Sequence, residues 1–215
     1  LPGFYDRVRP LDEEERAELS RLPVGDEFYL KETGAPALWG EAGYTTIERL
    51  GARPTLEVCG LLSGYTGEGS KTVLPSKAMA KISCRLVADQ DPDEIADRVV
   101  RHIHGIAPPG VKLRTARAEK GAFPYRIPPD HRGLQIAASV LQELYGKEPY
   151  WVWMGGTIPA NALFLDALRA YTIIFAFGLR DERQHSPNEF FRLSSWERGQ
   201  RAYGRLWKRM REANP

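Results

Sequence analysis

Three prolines crowd the stretch Gly121–Asp130, at Pro124, Pro128 and Pro129, and they limit what the chain can fold into. Proline fixes φ, removes a backbone donor and pushes the preceding residue away from the helical region. Neither a helix nor a central strand runs through such a stretch. The patterning also differs on its two sides. A domain boundary is therefore placed here, with residues 1–124 as one domain and 125–215 as the other. A chain of 215 residues has room for two modest domains.

On the amino-terminal side, residues 10–33 read as helices. Asp12, Glu13, Glu14 and Glu15 favour the positive end of a helix dipole. Gly34–Gly43 is rich in Gly, Ala and Pro, holds Trp39 and reads as a loop. Tyr44–Leu50 reads as a short helix with Glu48 and Arg49 in solvent. Strands begin after Pro54. Thr55–Leu62 ends in the flexible loop Gly64–Gly69, and Lys71–Pro75 follows. The clearest strand is Ala78–Val87. Alternation puts Ala80, Ile82, Cys84 and Leu86 on one face, and Met79, Lys81, Ser83 and Arg85 on the other. Asp91 followed by Pro92 and two acids is a helix start, with Ile95, Val99, Ile103 and Ile106 at helical spacing. A turn at Pro108-Pro109-Gly110 leads into a strand over Val111–Ala118. The order strand, strand, helix, strand predicts a small antiparallel sheet with helices on one face.

Beyond the prolines, Gly133–Tyr145 is an amphipathic helix with Leu134, Ala137, Ala138, Leu141 and Leu144 on one face. Tyr150–Met154 is an apolar strand running into Gly155-Gly156-Thr157-Ile158-Pro159, and a helix over Ala160–Leu168 follows. Tyr171–Phe177 is continuously apolar, as in a sheet covered on both faces. It opens into the polar loop Gly178–Glu189, which holds His185. Ser194–Ala213 is a long basic-faced helix. The sequence α, β, α, β, α fits a layered α/β domain.

Composition narrows the function classes. Hydrophobic residues at 42% and charged residues at 27% mark a globular chain. Basic residues number 30 and acidic 28, so nucleic acid and anionic membrane are not expected partners. No apolar run approaches the ~20 residues that span a bilayer. The chain opens on Leu1 without a leader pattern, which reads as a processed or truncated start. Cys59 and Cys84 lie in strand-like apolar runs and read as buried free thiols. There is no Walker loop, no Gly-x-Ser-x-Gly elbow and no Cys–His nucleophile pair.

In layered α/β folds ligands bind beyond the carboxyl ends of the strands. Two loops meet that description. Gly155-Gly156-Thr157 lets backbone approach a ligand and presents the free amides of a helix start, which suits a carboxylate. It also fits an ordinary tight strand–helix turn, the reading that spacing alone favours. His185 reads either as a metal ligand or general base, or as a solvated loop histidine. Asp181 and Glu189 are its only neighbouring acidic candidates. His102 and His104 are two apart on a helix and do not face each other. His131 is expected to be exposed at a helix start. Arg85, projecting from a strand, is shaped to clamp a carboxylate; its plainer reading is a surface arginine.

Together these segments resemble a family. Gly3–Asp6, Gly64–Pro75, Lys81–Val87, Gly155–Pro159 and His185–Glu189 stand in the order found in co-catalytic dizinc peptidases of the carnosinase, carboxypeptidase G and acetylornithine deacetylase type. The resemblance covers nearly the whole chain. It implies an α+β lid over residues 1–124, a ferredoxin-like four-stranded antiparallel sheet with helices that also dimerises. Residues 125–215 would be the closing α/β segment of a zinc-peptidase catalytic domain.

By resemblance, His185 is the last zinc ligand and Arg85 grips the substrate carboxylate. Gly155, Gly156 and Thr157 form the loop that also holds that carboxylate, and Thr72 reaches the partner subunit's active site. The expected cofactor is zinc, two ions per active site. The substrate would be a dipeptide or N-acyl amino acid with a free carboxylate, and the protein a cytoplasmic homodimer. Two departures are visible. The His-x-Asp pair, bridging Asp, Glu-Glu pair and lid histidine of the family's amino-terminal half have no counterpart in these residues, so the chain alone is expected to be inactive. Lys120 stands where the family often has His. The rival reading is a non-catalytic homodimerisation module.

Overall fold

The computed structural model describes residues 1–117, 121–155 and 158–213. The chain forms two compact units, Leu1–Tyr125 with Val152–Ala162, and Arg126–Trp151 with Leu163–Pro215.

The first unit begins with three short helices, α1 (Glu13–Ser20), α2 (Asp26–Thr33) and α3 (Thr46–Ala52). Their ends are fixed by side chains. Asp12 and Glu15 form a reciprocal capping box on α1, and Thr45 and Glu48 form another on α3. The second box corrects the expectation for Glu48. Its carboxylate accepts the Thr45 N–H at 2.7 Å and the Arg16 guanidinium at 3.0 Å, so it is buried rather than solvated. The third carboxylate-based clasp of this region is Glu41, which grips Arg53 in a bidentate pair at 2.8 and 2.7 Å. Arg53 also lies over the rings of Tyr5 and Tyr44 at 5.1 and 4.4 Å.

Two antiparallel strands follow, β1 (Thr55–Ser63) and β2 (Ala78–Arg85). Thr55 pairs with Arg85 and Ser63 with Ala78, and a bulge lies between Val58 and Gly60. Cys59 is the extra residue there. Helix α4 (Pro92–Ile106) starts as its sequence dictates, with Asp91 accepting the N–H groups of Asp93 and Glu94 and Pro92 in the first turn.

The expected four-stranded lid sheet is corrected here. Among the described residues there is one sheet, and it has two strands. Residues 111–117, 150–154 and 171–177, expected as strands, carry no ladder. An apolar run becomes a strand only when a neighbour supplies hydrogen-bond partners, and periodicity names no neighbour. The helix layer expected on the sheet is also missing among the described residues. Leu56, Val58, Leu61, Leu62, Met79 and Ile82 stay 39–78% exposed.

The second unit is built on α5 (Arg132–Tyr145) and α7 (Leu193–Ala213), while α6 (Pro159–Leu168) is divided between the units. Its core is Ala137 and Val140 of α5, Phe175 of the extended segment, and Ala202 and Leu206 of α7. The buried face of α5 is thus centred on Ala137 and Val140, with Ile136, Leu141 and Leu144 packed at its edges. Phe175 meets Phe177 and Tyr203 edge-on at 5.2 Å, and the Tyr203 hydroxyl donates to the Phe175 carbonyl oxygen at 2.7 Å. Residues 171–177 are therefore ordered by side-chain packing in place of a ladder. His131, expected to be exposed, is half-buried. It caps α5 by accepting the Gly133 N–H on Nδ1 at 3.1 Å and packs on Tyr171.

Candidate functional site

Arg85 ends β2, where the register sets it opposite Thr55. Its guanidinium donates from Nη1 to the Gly155 carbonyl oxygen at 3.3 Å, joining two positions 70 residues apart within the first unit. Arg85 is exposed, and no other partner of its guanidinium is found among the described residues. One hydrogen bond uses a fraction of a guanidinium's donor fork, which leaves capacity for a planar carboxylate.

Why residue 155 is glycine is a matter of space. A Cβ there would sit 2.1 Å from the Leu50 carbonyl oxygen, at the last turns of α3. Gly51 has the same problem in mirror, since its Cβ would fall 2.8 Å from both Cβ and carbonyl oxygen of Trp153. The segment 153–155 therefore lies flat on the backbone of α3, and only glycine allows the approach. This packing holds the Gly155 carbonyl where Arg85 reaches it. Gly156 and Thr157, expected in the same loop, lie outside the described residues, as does Lys120. Thr72 lies in the exposed segment between β1 and β2, outside any regular element.

His185 belongs to the second unit, in the loop between the extended segment 171–177 and α7. It is exposed, with φ at 61°, in the left-handed region. Its backbone N–H donates to Glu189 Oε2 at 3.3 Å. Asp181 faces Arg192 instead of His185, accepting from its Nη1 and Nη2 at 2.9 and 2.6 Å. That guanidinium holds the Asp181 carboxyl below the usual carboxylate range. Among the described residues no group of three or more His, Cys, Asp or Glu side chains is placed to hold a metal ion. Zinc takes three or four protein ligands, so the residues present offer one imidazole and not a site. His102 and His104 do not converge, and His104 Nε2 lies 3.4 Å from the Thr115 hydroxyl.

Two residues near His185 escaped sequence reasoning. Glu182 is buried and accepts the backbone N–H groups of Leu179 and Arg192, which hold its carboxyl low, and Arg192 adds its own charge. Both partners lie outside any periodic pattern, so no local signal marked them. An open depression beside them is lined by Ala176, Phe177, Gly178, Glu182, Gln184, Glu189, Phe190 and Phe191.

The fold and the ordered loops define a segment of a peptidase fold. The family model for peptidase family M20/M25/M40 matches residues 17–209, and the chain belongs to that family. It is 27% identical over 203 residues to Cys-Gly metallodipeptidase DUG1 of Saccharomyces cerevisiae, covering 93% of this chain and 42% of that protein. It is 24% identical over 198 residues to Beta-Ala-His dipeptidase of Rattus norvegicus, covering 91% of this chain and 40% of that protein. Among solved structures it resembles the M20 family metallo-carboxypeptidase Sso-CP2 from Sulfolobus solfataricus, with a TM-score of 0.77 and 28% identity, over 95% of this chain and 46% of that one. The chain thus spans 40–42% of the length of these curated relatives.

Proposed function

We propose that this chain is the part of a metal-dependent peptidase that grips the free carboxylate of a dipeptide or N-acyl amino acid and lends one ligand, His185, to a two-zinc centre. The observation that carries this reading is the hydrogen bond from Arg85 to Gly155 at 3.3 Å. It unites two segments, distant in sequence, that the family resemblance assigns to one carboxylate. Arg85 supplies a bidentate fork, and the loop Gly155-Gly156-Thr157 supplies backbone donors and a hydroxyl. Fixing that end of the substrate sets where the amide bond lies. The remaining metal ligands come from residues outside this sequence, and the chain alone does not hydrolyse peptides.

In this reading residues 1–124 are the lid and residues 125–215 close the catalytic domain. The exposed apolar side chains of β1 and β2 support homodimerisation through the lid, with Thr72 serving the partner subunit's site. Two free cysteines agree with a reducing, cytoplasmic setting. The same exposed sheet, with a single metal-ligating histidine, supports the second reading, a homodimerisation module without chemistry.

The test is Arg85→Ala in protein that carries this chain together with its remaining ligands. A charged bidentate contact contributes about 2–3 kcal/mol. Hydrolysis measured as kcat/KM should fall roughly 30- to 150-fold, with KM raised and kcat lowered. Arg85→Lys should restore part of the loss. Equal damage to a substrate amidated at its carboxyl end would remove the clamp role.

A further inference from the structure

Glu182 has 1% of its surface exposed, the least of any charged residue among the described residues, and the carboxylate-gripping role does not use it. It ends the short 3-10 turn Arg180–Glu182, three residues before His185. One carboxylate oxygen accepts the Leu179 N–H at 2.8 Å. The other accepts the Arg192 N–H at 3.0 Å and the Arg192 guanidinium at 3.3 Å. The Glu182 carbonyl oxygen accepts the Phe190 N–H at 3.2 Å. Leu179 and Arg192 are the two ends of the loop, so one buried carboxylate ties its entry to its exit.

The surroundings are built for this. Gly178 lies beside the Gln184 amide, where a Cβ would sit 2.9 Å from Gln184 Nε2, while its 3.5 Å from Glu182 Oε2 would be ordinary contact. Asp181 holds the far side of the same guanidinium, and the guanidinium lies 5.0 Å over the Phe190 ring. Between the tied ends, Arg183, His185 and Asn188 have φ of 55°, 61° and 62°. Three non-glycine residues in the left-handed region cost conformational energy and persist only where the surroundings over-determine them. The bonds inside the loop, from Ser186 N–H to the Arg183 carbonyl at 3.1 Å and from Glu189 N–H to the Ser186 carbonyl at 3.2 Å, are open to water. The bonds to Glu182 end on a buried carboxylate, and a charge-assisted bond to a buried acceptor is the stronger constraint.

We infer that Glu182 is the positioning residue of His185, its carboxylate closing the loop at both ends and fixing the left-handed backbone that presents the imidazole. The purpose of this device rests on His185 being a metal ligand; the geometry does not.

The experiment uses the isotope-labelled 215-residue chain. In Glu182→Gln the side chain keeps its volume but loses its charge and one acceptor. The Leu179 and Arg192 amides should exchange at least about tenfold faster. The backbone carbon shifts of Arg183 and His185 should move from left-handed toward averaged values, while the amides of Val140 and Ala202 keep their protection. Unchanged loop shifts and exchange, or equal loss of protection at Val140 and Ala202, would overturn the inference. If Glu182→Gln does not fold, Arg192→Met decides. It keeps the backbone bonds and removes the guanidinium, so the same loop signals should shift by a smaller amount, and no shift would overturn the inference. Zinc chloride titrated into the wild-type chain, Glu182→Gln and His185→Ala separates the two ideas. Zinc should shift the wild-type His185 ring nitrogens, and the loop response should vanish in His185→Ala. An identical loop response in His185→Ala would remove the ligand reading and leave the backbone result for Glu182 standing. Unchanged ring shifts and zinc response in Glu182→Gln would remove the positioning role and leave the ligand reading standing.

Discussion

Cys59 and Cys84 lie on neighbouring strands, yet their thiols answer to different surroundings. Both are free, as expected, but Cys59 is exposed at the bulge, contrary to the expectation of burial. Its Sγ lies 3.5 Å from the Lys81 carbonyl oxygen. Cys84 is half-buried, and burial, with the nearby charge of Glu57, pushes its thiol from 9.0 up to about 11. The thiolate is the reactive form, and a shift of this size lowers its fraction roughly a hundredfold. At pH 8 an aromatic disulfide reagent should therefore take up one equivalent quickly, and Cys59→Ser should abolish that phase. The Cys84 phase should accelerate up to about pH 11. Because the fold favours the protonated thiol, its share of stability is held below pH 9.0 and lost as pH rises toward about 11. Equal rates for both thiols at pH 8 would contradict this account.

Among the elements, α5 and α7 carry the packing of the second unit, and the β1–β2 ladder carries hydrogen bonds with little burial. Small residues, Ala137 on one helix and Ala202 on the other, bring the α5 and α7 backbones close, and Val140 fills the space between. At the rim, Arg205 and Arg209 reach Glu143 at 3.1 and 2.5 Å, and Arg209 reaches the Ser139 hydroxyl at 2.7 Å. These exposed pairs add little beside the core. Val140 is 0% exposed and Val58 is 59% exposed. Val140→Ala should cost about 2 kcal/mol, the transfer of two methyl groups plus the cavity they leave. Val58→Ala should cost under about 0.5 kcal/mol. Urea unfolding midpoints of the two variants make the comparison, and a larger loss for Val58→Ala would show that the sheet is covered by something the α5–α7 core does not provide.

For the molecule as a whole, the donor set limits what it binds. The exposed His185 imidazole belongs to the second unit and the exposed Arg85 guanidinium to the first. Among the described residues no cluster of three ligands is placed to hold a metal ion, and zinc takes three or four. Dialysis against buffered zinc should leave at most one weakly held ion per chain, and His185→Ala should remove it. Two tightly retained ions measured by atomic absorption would contradict the donor count.

Helix positions were legible because helix signals are local. The Asp91-Pro92 start, the capping acids before α1 and the left-handed Gly146 that ends α5 act within a turn of the residues they govern. The order of the short motifs likewise sufficed to resemble a peptidase family, because each motif is a contiguous string. Pairing across the chain was not legible. Val111–Ala118, Tyr150–Met154 and Tyr171–Phe177 have the composition of strands, but a ladder depends on a neighbour that composition does not specify. Nothing local in the sequence says that the first unit takes in Val152–Ala162 as well as Leu1–Tyr125. The same limit hid Glu48 and Glu182. Each takes a backbone N–H three residues back, from Thr45 or Leu179, but each is buried with the help of a more distant arginine, Arg16 or Arg192. Arg85 and Gly155 were each suspected from sequence, but only tertiary structure sets them 3.3 Å apart. Local rules act over a few residues, whereas burial, charge pairing and strand partnership depend on which distant segments the fold brings together.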